Sequence, residues 1–178
     1  MLWRMHEGIG NLTLCWSPCS QFVRRLQHFG CIERFGIFGN TLEYLGIEEL
    51  SSMLRRREIS PVELTAYFLN RISEFNPKLN AFIKVSVERA EEQALSAEAL
   101  MAKGHFIGPL HGIPFALKDL IDVKGLVTTG GSILRRNRSE NTNAFVADRL
   151  FEAGAVILGK THMVEFAFGV TGVNHHYG

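Results

Sequence analysis

Lys118 is the residue of this chain whose surroundings point most directly to chemistry. It closes the stretch Gly108-Pro109-Leu110-His111-Gly112-Ile113-Pro114-Phe115-Ala116-Leu117-Lys118-Asp119, in which a Gly- and Pro-rich loop runs into a short apolar segment. Apolar runs bounded by Gly and Pro read as buried strands. A lysine at the end of such a strand sits between core and solvent. Burial disfavours the ammonium and makes a neutral amine available as a base. The alternative is a lysine that snorkels to solvent and pairs with Asp119. Residue chemistry alone leaves both open.

Four other constellations invite chemistry and have plainer explanations. Gly154-x-x-x-x-Gly159-Lys160-Thr161 matches the phosphate-loop pattern. That loop needs a strand before its first glycine and a flexible interior. Here a helical pattern precedes Gly154, and the interior is Ala155-Val156-Ile157-Leu158, so a helix stop, a core strand and Thr161 capping the next turn are expected. His162 and Glu165 could share a helical face near His175 and His176, which would suit a transition metal. A surface histidine and a terminal loop explain the same residues, and no metal is expected. Gly130-Gly131-Ser132 lacks the Gly-x-Ser-x-Gly elbow of a nucleophilic serine. Thr128 and Thr129 suit either a polar channel or a satisfied turn, the turn being the expected role. Arg135-Arg136-Asn137-Arg138 has no interleaved aromatics and reads as a solvated loop rather than a nucleic-acid contact.

The elements that must position these residues follow from periodicity. Ile47 to Arg57 reads as a short helix with Ile47, Leu50 and Leu54 on one face. Ser60-Pro61-Val62-Glu63 is a capping box with proline at the first helical position. The stripe Leu64, Phe68, Ile72, Phe75 follows, with Pro77 beyond the helix end. Ala81 to Val85 is a candidate strand. Ser86 to Lys103 is a helix with the stripe Val87, Ala90, Ala94, Ala97, Met101, stopped by Gly104. Ile113 to Leu117 is a strand, Asn143 to Ala153 a helix, and Ala155 to Leu158 a parallel strand covered on both faces. The alternation predicts an α/β layer structure.

The run Gly108 to Asp119, then Gly125, Thr128-Thr129 and Gly131-Ser132, then Gly154 to Thr161, then Glu165-Phe166-Ala167, resembles the amidase signature family, serine hydrolases and amidotransferases with a Ser–cis-Ser–Lys triad. The resemblance covers Leu45 to Gly178, about three quarters of the chain. It implies the N-terminal portion of a mixed sheet covered by helices, with Lys118 as the catalytic lysine. The family's Gly-Gly-Ser-Ser-Gly-Gly run and its nucleophilic serine do not occur in these residues. The neighbourhood of Phe168 and Gly169 borders the acyl pocket in that family, so both are expected to contact substrate. A core phenylalanine is the competing role for Phe168. The implied reaction is hydrolysis of an amide carbon–nitrogen bond other than a peptide bond. The implied substrate is a small amide, with no cofactor, and a homodimeric full-length enzyme is compatible with it. A rival is an amidotransferase component that makes ammonia from glutamine for a tRNA-linked acyl group and works with partner subunits. The tail Phe168 to Gly178 looks more like stand-alone amidases, because those amidotransferase components usually carry a Ser- and Glu-containing run there. A second rival is a non-catalytic truncated remnant.

Composition sets the outer bounds. The chain has 178 residues and net charge +1, which gives no argument for nucleic acid or an acidic membrane surface. No apolar run approaches the roughly 20 residues that span a bilayer. All three cysteines (Cys15, Cys19, Cys31) and both tryptophans (Trp3, Trp16) precede residue 32. That break marks residues 1–40 as an atypical leader, disordered or spurious, and residues 41–178 as the amidase portion. Cysteine-free sequence thereafter fits a reducing, cytoplasmic setting. Cys15 and Cys19 have no second ligand pair at zinc spacing.

A lysine base without its serines has no nucleophile to activate, and such groups act as a unit. The 178-residue chain incubated with simple aryl and alkyl amides is therefore expected to show no turnover above buffer. Turnover that disappears on Lys118→Ala would contradict this.

Overall fold

A reciprocal pair of hydrogen bonds starts the longest helix. The Ser60 hydroxyl accepts from the Glu63 N–H at 3.1 Å, and the Glu63 carboxylate accepts from the Ser60 N–H at 2.8 Å. Both bonds satisfy donors that a helix start leaves orphaned. The computed structural model describes residues 42–178, and the expected leader and its cysteines lie outside them. Within this range, α1 spans Ile47–Arg55, α2 Pro61–Leu79, β1 Phe82–Val85, α3 Val87–Ala102, β2 Pro114–Lys118, α4 Phe145–Glu152 and β3 Val156–Thr161. No described helix is long and apolar enough to cross a membrane.

The strands form one mixed sheet in the order β1-β3-β2, with β2 parallel and β1 antiparallel to the central β3. The β3 side chains alternate between two cores, as the period-two geometry of a strand requires. Val156 and Leu158 pack with Leu69 of α2 and with Ala90 and Ala94 of α3. Ile157 packs on the opposite side with Leu117, Val123 and Ala147 of α4. The sheet is thus covered on both faces, and the expected α/β layering is the observed architecture. The small alanines on the buried stripe of α3 let that helix sit close to the sheet. The apolar β3 run reads as it does because neither of its faces meets water.

Element ends differ from the expectations by one to three residues, and three of these differences bear on how the sheet is built. Helix α2 runs through Pro77 to Leu79. In the last turn, proline removes only one helical hydrogen bond. The Asn76 side chain anchors the following segment by bonding both the N–H and the carbonyl of Phe82, and Asn80 ends the helix in the left-handed region at φ 47°. Helix α1 stops at Arg55, with Arg57 at φ 59°. Strand β3 continues past Leu158 to Thr161. Thr161 is thus the last strand residue rather than a cap, and its carbonyl accepts from the Asp119 N–H at 3.2 Å.

Gly159 makes that extension work. The β2–β3 register slips between Phe115 and Ala116, which pair with Ile157 and Gly159. At this irregularity β1 presses against β3, and a Cβ on Gly159 would lie 2.1 Å from the Lys84 carbonyl oxygen. A glycine in a strand often marks such a close backbone approach. Gly159→Ala is expected to push β1 off β3 and to lower stability by at least the ~1–3 kcal/mol typical of overpacking. Denaturant unfolding of the two chains checks this, and an unchanged midpoint would contradict it.

Candidate active site

The site is built at the carboxyl ends of the parallel strands β2 and β3, the usual location of ligands in open α/β sheets. Lys118 and Thr161, the last residues of the two strands, are register partners. Beyond Lys118 the chain turns at once, with the Ile121 N–H donating to the Lys118 carbonyl at 2.9 Å. The Lys118 side chain is exposed. It makes no ion pair or hydrogen bond with the described residues, so the pairing with Asp119 considered from sequence does not form.

Asp119 is buried and turned inward. Its Oδ2 accepts from the Thr129 N–H at 3.1 Å and, in a short bond, from the Thr129 hydroxyl. Its carbonyl accepts from the Gly130 N–H at 2.9 Å. One aspartate thus joins the end of β2, the end of β3 and the segment Thr128–Ser132. Thr128 and Thr129 form the satisfied turn expected of them, and the Thr129 hydroxyl also accepts from the Gly131 N–H at 2.9 Å. The Ser132 side chain accepts from the Leu134 N–H at the start of a short 3-10 turn, Ile133–Arg135.

The counter-charge to Asp119 is Lys160. The two side chains are 0% and 1% exposed, with the Lys160 Nζ 3.5 Å from Asp119 Oδ1. At that distance the contact is an ion pair, too long for a good hydrogen bond, and Oδ1 has no hydrogen-bond donor among the described residues. The same ammonium donates to the Ile121 carbonyl at 2.6 Å and to the Thr128 hydroxyl at 3.0 Å. Burial pushes the Lys160 ammonium below its ordinary range, and the Asp119 charge pulls it back up. Sequence reasoning did not bring these two residues together: it weighed Asp119 as a partner for Lys118 and Lys160 as part of a phosphate-loop pattern. The available signal was a lysine carried at the end of the apolar run Ala155 to Leu158 with no acidic residue before Glu165 to take its charge.

Past β3 the chain reaches the strained segment Glu165–Ala167. Phe166 and Ala167 both hold left-handed backbone, at φ 51° and 59°. Non-glycine residues in that region are uncommon and cost of order 1–3 kcal/mol each. The Phe166 N–H donates to the Gly130 carbonyl at 2.7 Å, and the Arg135 guanidinium lies 5.1 Å from the centre of the Phe166 ring. Phe168 is 93% exposed, so it is no core residue in this chain. With Gly169, Glu165, Thr171, Asn174 and His176 it borders an open cavity of about 640 Å³. Asn174 fixes the far wall. Its amide donates to the carbonyls of Gly131 and Met163, and its Oδ1 accepts from the N–H groups of His176 and Tyr177. Gly131 is required at this point, because a Cβ there would lie 2.8 Å from both the Asn174 amide and the Met163 carbonyl.

The remaining candidates separate. His162 does not share a helical face with Glu165, since the segment between them is not helical. Glu165 lies instead 3.7 Å from His176. Among the described residues no three His, Cys, Asp or Glu side chains gather as a metal site. Gly154 ends α4 and Lys160 is sealed in the core, so the phosphate-loop pattern carries no loop. In the basic cluster, Arg135, Arg136 and Asn137 are exposed, while Arg138 pairs with Asp122 and Glu140.

Comparison with known proteins agrees with this architecture. The Amidase family model matches residues 63–178. A glutamyl-tRNA(Gln) amidotransferase subunit of Azoarcus sp. is 47% identical over 132 residues, which cover 74% of this chain and 27% of that protein. The native peptide amidase of Stenotrophomonas maltophilia superposes with a TM-score of 0.67 at 32% identity, covering 71% of this chain and 26% of that one. A chain solved in work on the evolutionary origins of an s-triazine catabolic enzyme superposes with a TM-score of 0.73 at 34% identity, covering 75% and 30%. The fold and the family match place this chain in the amidase signature family. It spans about a quarter of the length of the curated relatives it matches.

The two strand-end lysines are expected to differ in reactivity. Brief exposure of the native chain to an amine-acylating reagent should modify Lys118 and spare Lys160, and denaturation should make the two alike. Peptide mapping by mass spectrometry reads this, and native labelling of Lys160 at the Lys118 rate would contradict the burial described.

Proposed function

We propose that this chain supplies the lysine base and one wall of the acyl pocket of an amidase that cleaves a carbon–nitrogen bond other than a peptide bond. The observation that carries the reading is the contrast between the two strand-end lysines. Lys160 is committed to Asp119, Thr128 and Ile121, whereas Lys118 leaves the same strand ends with an uncommitted side chain. A base must be free to meet the proton it takes. In the family's triad, the neutral amine of Lys118 accepts a proton from the cis-serine, which accepts one from the nucleophilic serine. The activated oxygen attacks the amide carbonyl, the C–N bond breaks, and the amine leaves with a proton. The acyl-serine is then released to water. The cavity bordered by Phe168 and Gly169 receives the acyl part of a small amide, and no cofactor is needed for these steps.

A second reading has its own support. The curated relatives at 42–47% identity are named as subunits of glutamyl-tRNA(Gln) amidotransferase. On that reading the amide is the side chain of glutamine, and the released ammonia passes to a tRNA-linked acyl group. Simple amides turned over by the polypeptide alone favour the stand-alone amidase, and glutamine turnover only with partner subunits favours the amidotransferase.

In a polypeptide that joins this chain to both serines, Lys118→Ala is expected to lower kcat by on the order of 10²–10⁴-fold or more. Lys118→Arg should fail as well, because a guanidinium does not become a neutral base. Circular dichroism should match the parent in both. Near-normal kcat in either variant would overturn the assignment.

A further inference from the structure

We propose that Lys160 is a positioning residue for Lys118: its buried ammonium holds both ends of the turn on which Lys118 leaves the sheet and cancels the charge of the buried Asp119 carboxylate in that turn. This rests on the reading of Lys118 as the base. Three observations support it. First, the contacts of the ammonium are all local to Lys118. The turn begins at the Lys118 carbonyl, which accepts from the Ile121 N–H. The ammonium meets Asp119 just inside the turn and the Ile121 carbonyl at its end, at 3.5 and 2.6 Å. Its third contact, at 3.0 Å, is the Thr128 hydroxyl. Two of its donors have hydrogen-bond acceptors, the Ile121 carbonyl and the Thr128 hydroxyl, and the Asp119 carboxylate supplies the counter-charge; all three contacts lie within this one turn and the segment docked on it.

Second, the charges are consecutive in the chain. Lys118 and Asp119 are neighbours, about 3.8 Å apart at Cα. A bare carboxylate at Asp119 would favour the ammonium form of Lys118. That is the wrong direction for a base, which acts as the free amine. The turn nonetheless uses the carboxylate, because Asp119 Oδ2 accepts both Thr129 donors. Lys160 lets Asp119 keep that anchoring role without its charge acting on Lys118. Third, Lys160 has no route to solvent. Its side chain is 0% exposed, so it is available for neither substrate nor surface pairing.

The faces packed around the pair hold two further charged groups. Asp122 lies on the same turn, and Arg138 pairs with it at 3.4 Å. Both bear on Lys160, Asp122 favouring its ammonium form and Arg138 opposing it. Arg138 also pairs with Glu140 at 2.5 Å, so these groups have partners outside the buried pair, and the Asp119–Lys160 balance is the charge that a single substitution at Lys160 upsets.

The test uses the full 178-residue chain and does not depend on activity. Competitive acylation from neutral to strongly alkaline pH, read on the Lys118 peptide by mass spectrometry, gives the titration midpoint of Lys118. Lys160→Met and Lys160→Gln should each move that midpoint upward by a measurable fraction of a pH unit. The double variants with Asp119→Asn, which keeps an acceptor for Thr129 and removes the charge, should return it to the parent value. A purely structural lysine would leave the midpoint in place. An unchanged midpoint in the folded single variants, or a shift that the double variants keep, overturns the proposal. So does loss of folding in the single and double variants alike. In the polypeptide carrying both serines, the acid limb of kcat/KM should move with the Lys118 midpoint. If Lys118→Ala kept its activity there, the reading of Lys118 as base would fail while the midpoint result stood independently.

Discussion

A charged ammonium sealed inside the protein is the constraint on which the rest of the site depends. Removing an ion from water costs several kcal/mol even after relaxation, and mutual attraction offsets this only when geometry is good and the remaining donors are filled. Lys160 meets that condition through the Ile121 carbonyl, the Thr128 hydroxyl and the Asp119 carboxylate. These acceptors come from the turn after β2 and from the segment that docks on it. Strand β3 must therefore extend far enough to deliver Lys160. The Gly159 irregularity must let β1 pass, and the segment from Thr128 must fold back under the strand ends. Displacing any of these would leave a buried charge unpaired.

The molecule divides its labour between the sheet layers and the loops at their carboxyl ends. The layers are generic. Alanines of α3 and the alternating Val156, Ile157 and Leu158 fill two apolar cores, and similar volumes would serve as well. The loops are specific. Asp119, Thr129, Gly130, Gly131 and Asn174 are fixed by directional bonds to one another or to neighbouring backbone. Such residues place a functional group more narrowly than apolar packing does. The left-handed pair Phe166 and Ala167 belongs to the same logic. Strained backbone persists only where its surroundings over-determine it, here through the Gly130 carbonyl and the stacked Arg135 guanidinium. The segment delivers Phe168 to the cavity as an exposed aromatic.

Residue types and spacing determined much of this protein. The capping box at Ser60 and Glu63, the alanine stripe of α3, the glycine stops and the apolar β3 run specify local structure through short-range physics: orphaned donors, the 3.6-residue period, and φ angles suited to glycine. The family motifs singled out Lys118 and the neighbourhood of Phe168 as expectations about the site, because motif order is a property of the chain. Boundaries at Pro77 and Leu158 were less legible. A proline in the last helical turn forfeits little, and a strand continues while its partner continues, which is information held by β2 rather than by β3.

Only the tertiary structure decided which lysine is free and which is committed. Lys118 and Lys160 both follow apolar runs, and no local rule separates them. The parallel register sets Lys118 beside Thr161 and thereby brings Lys160 inward against Asp119, Ile121 and Thr128, which stand 41, 39 and 32 residues earlier in the chain. The charge balance that distinguishes an exposed, uncommitted amine from a buried, ion-paired one is a long-range quantity. It depends on which groups the fold brings within a few ångströms, and the burial that makes such a pairing obligatory exists only once the chain has folded.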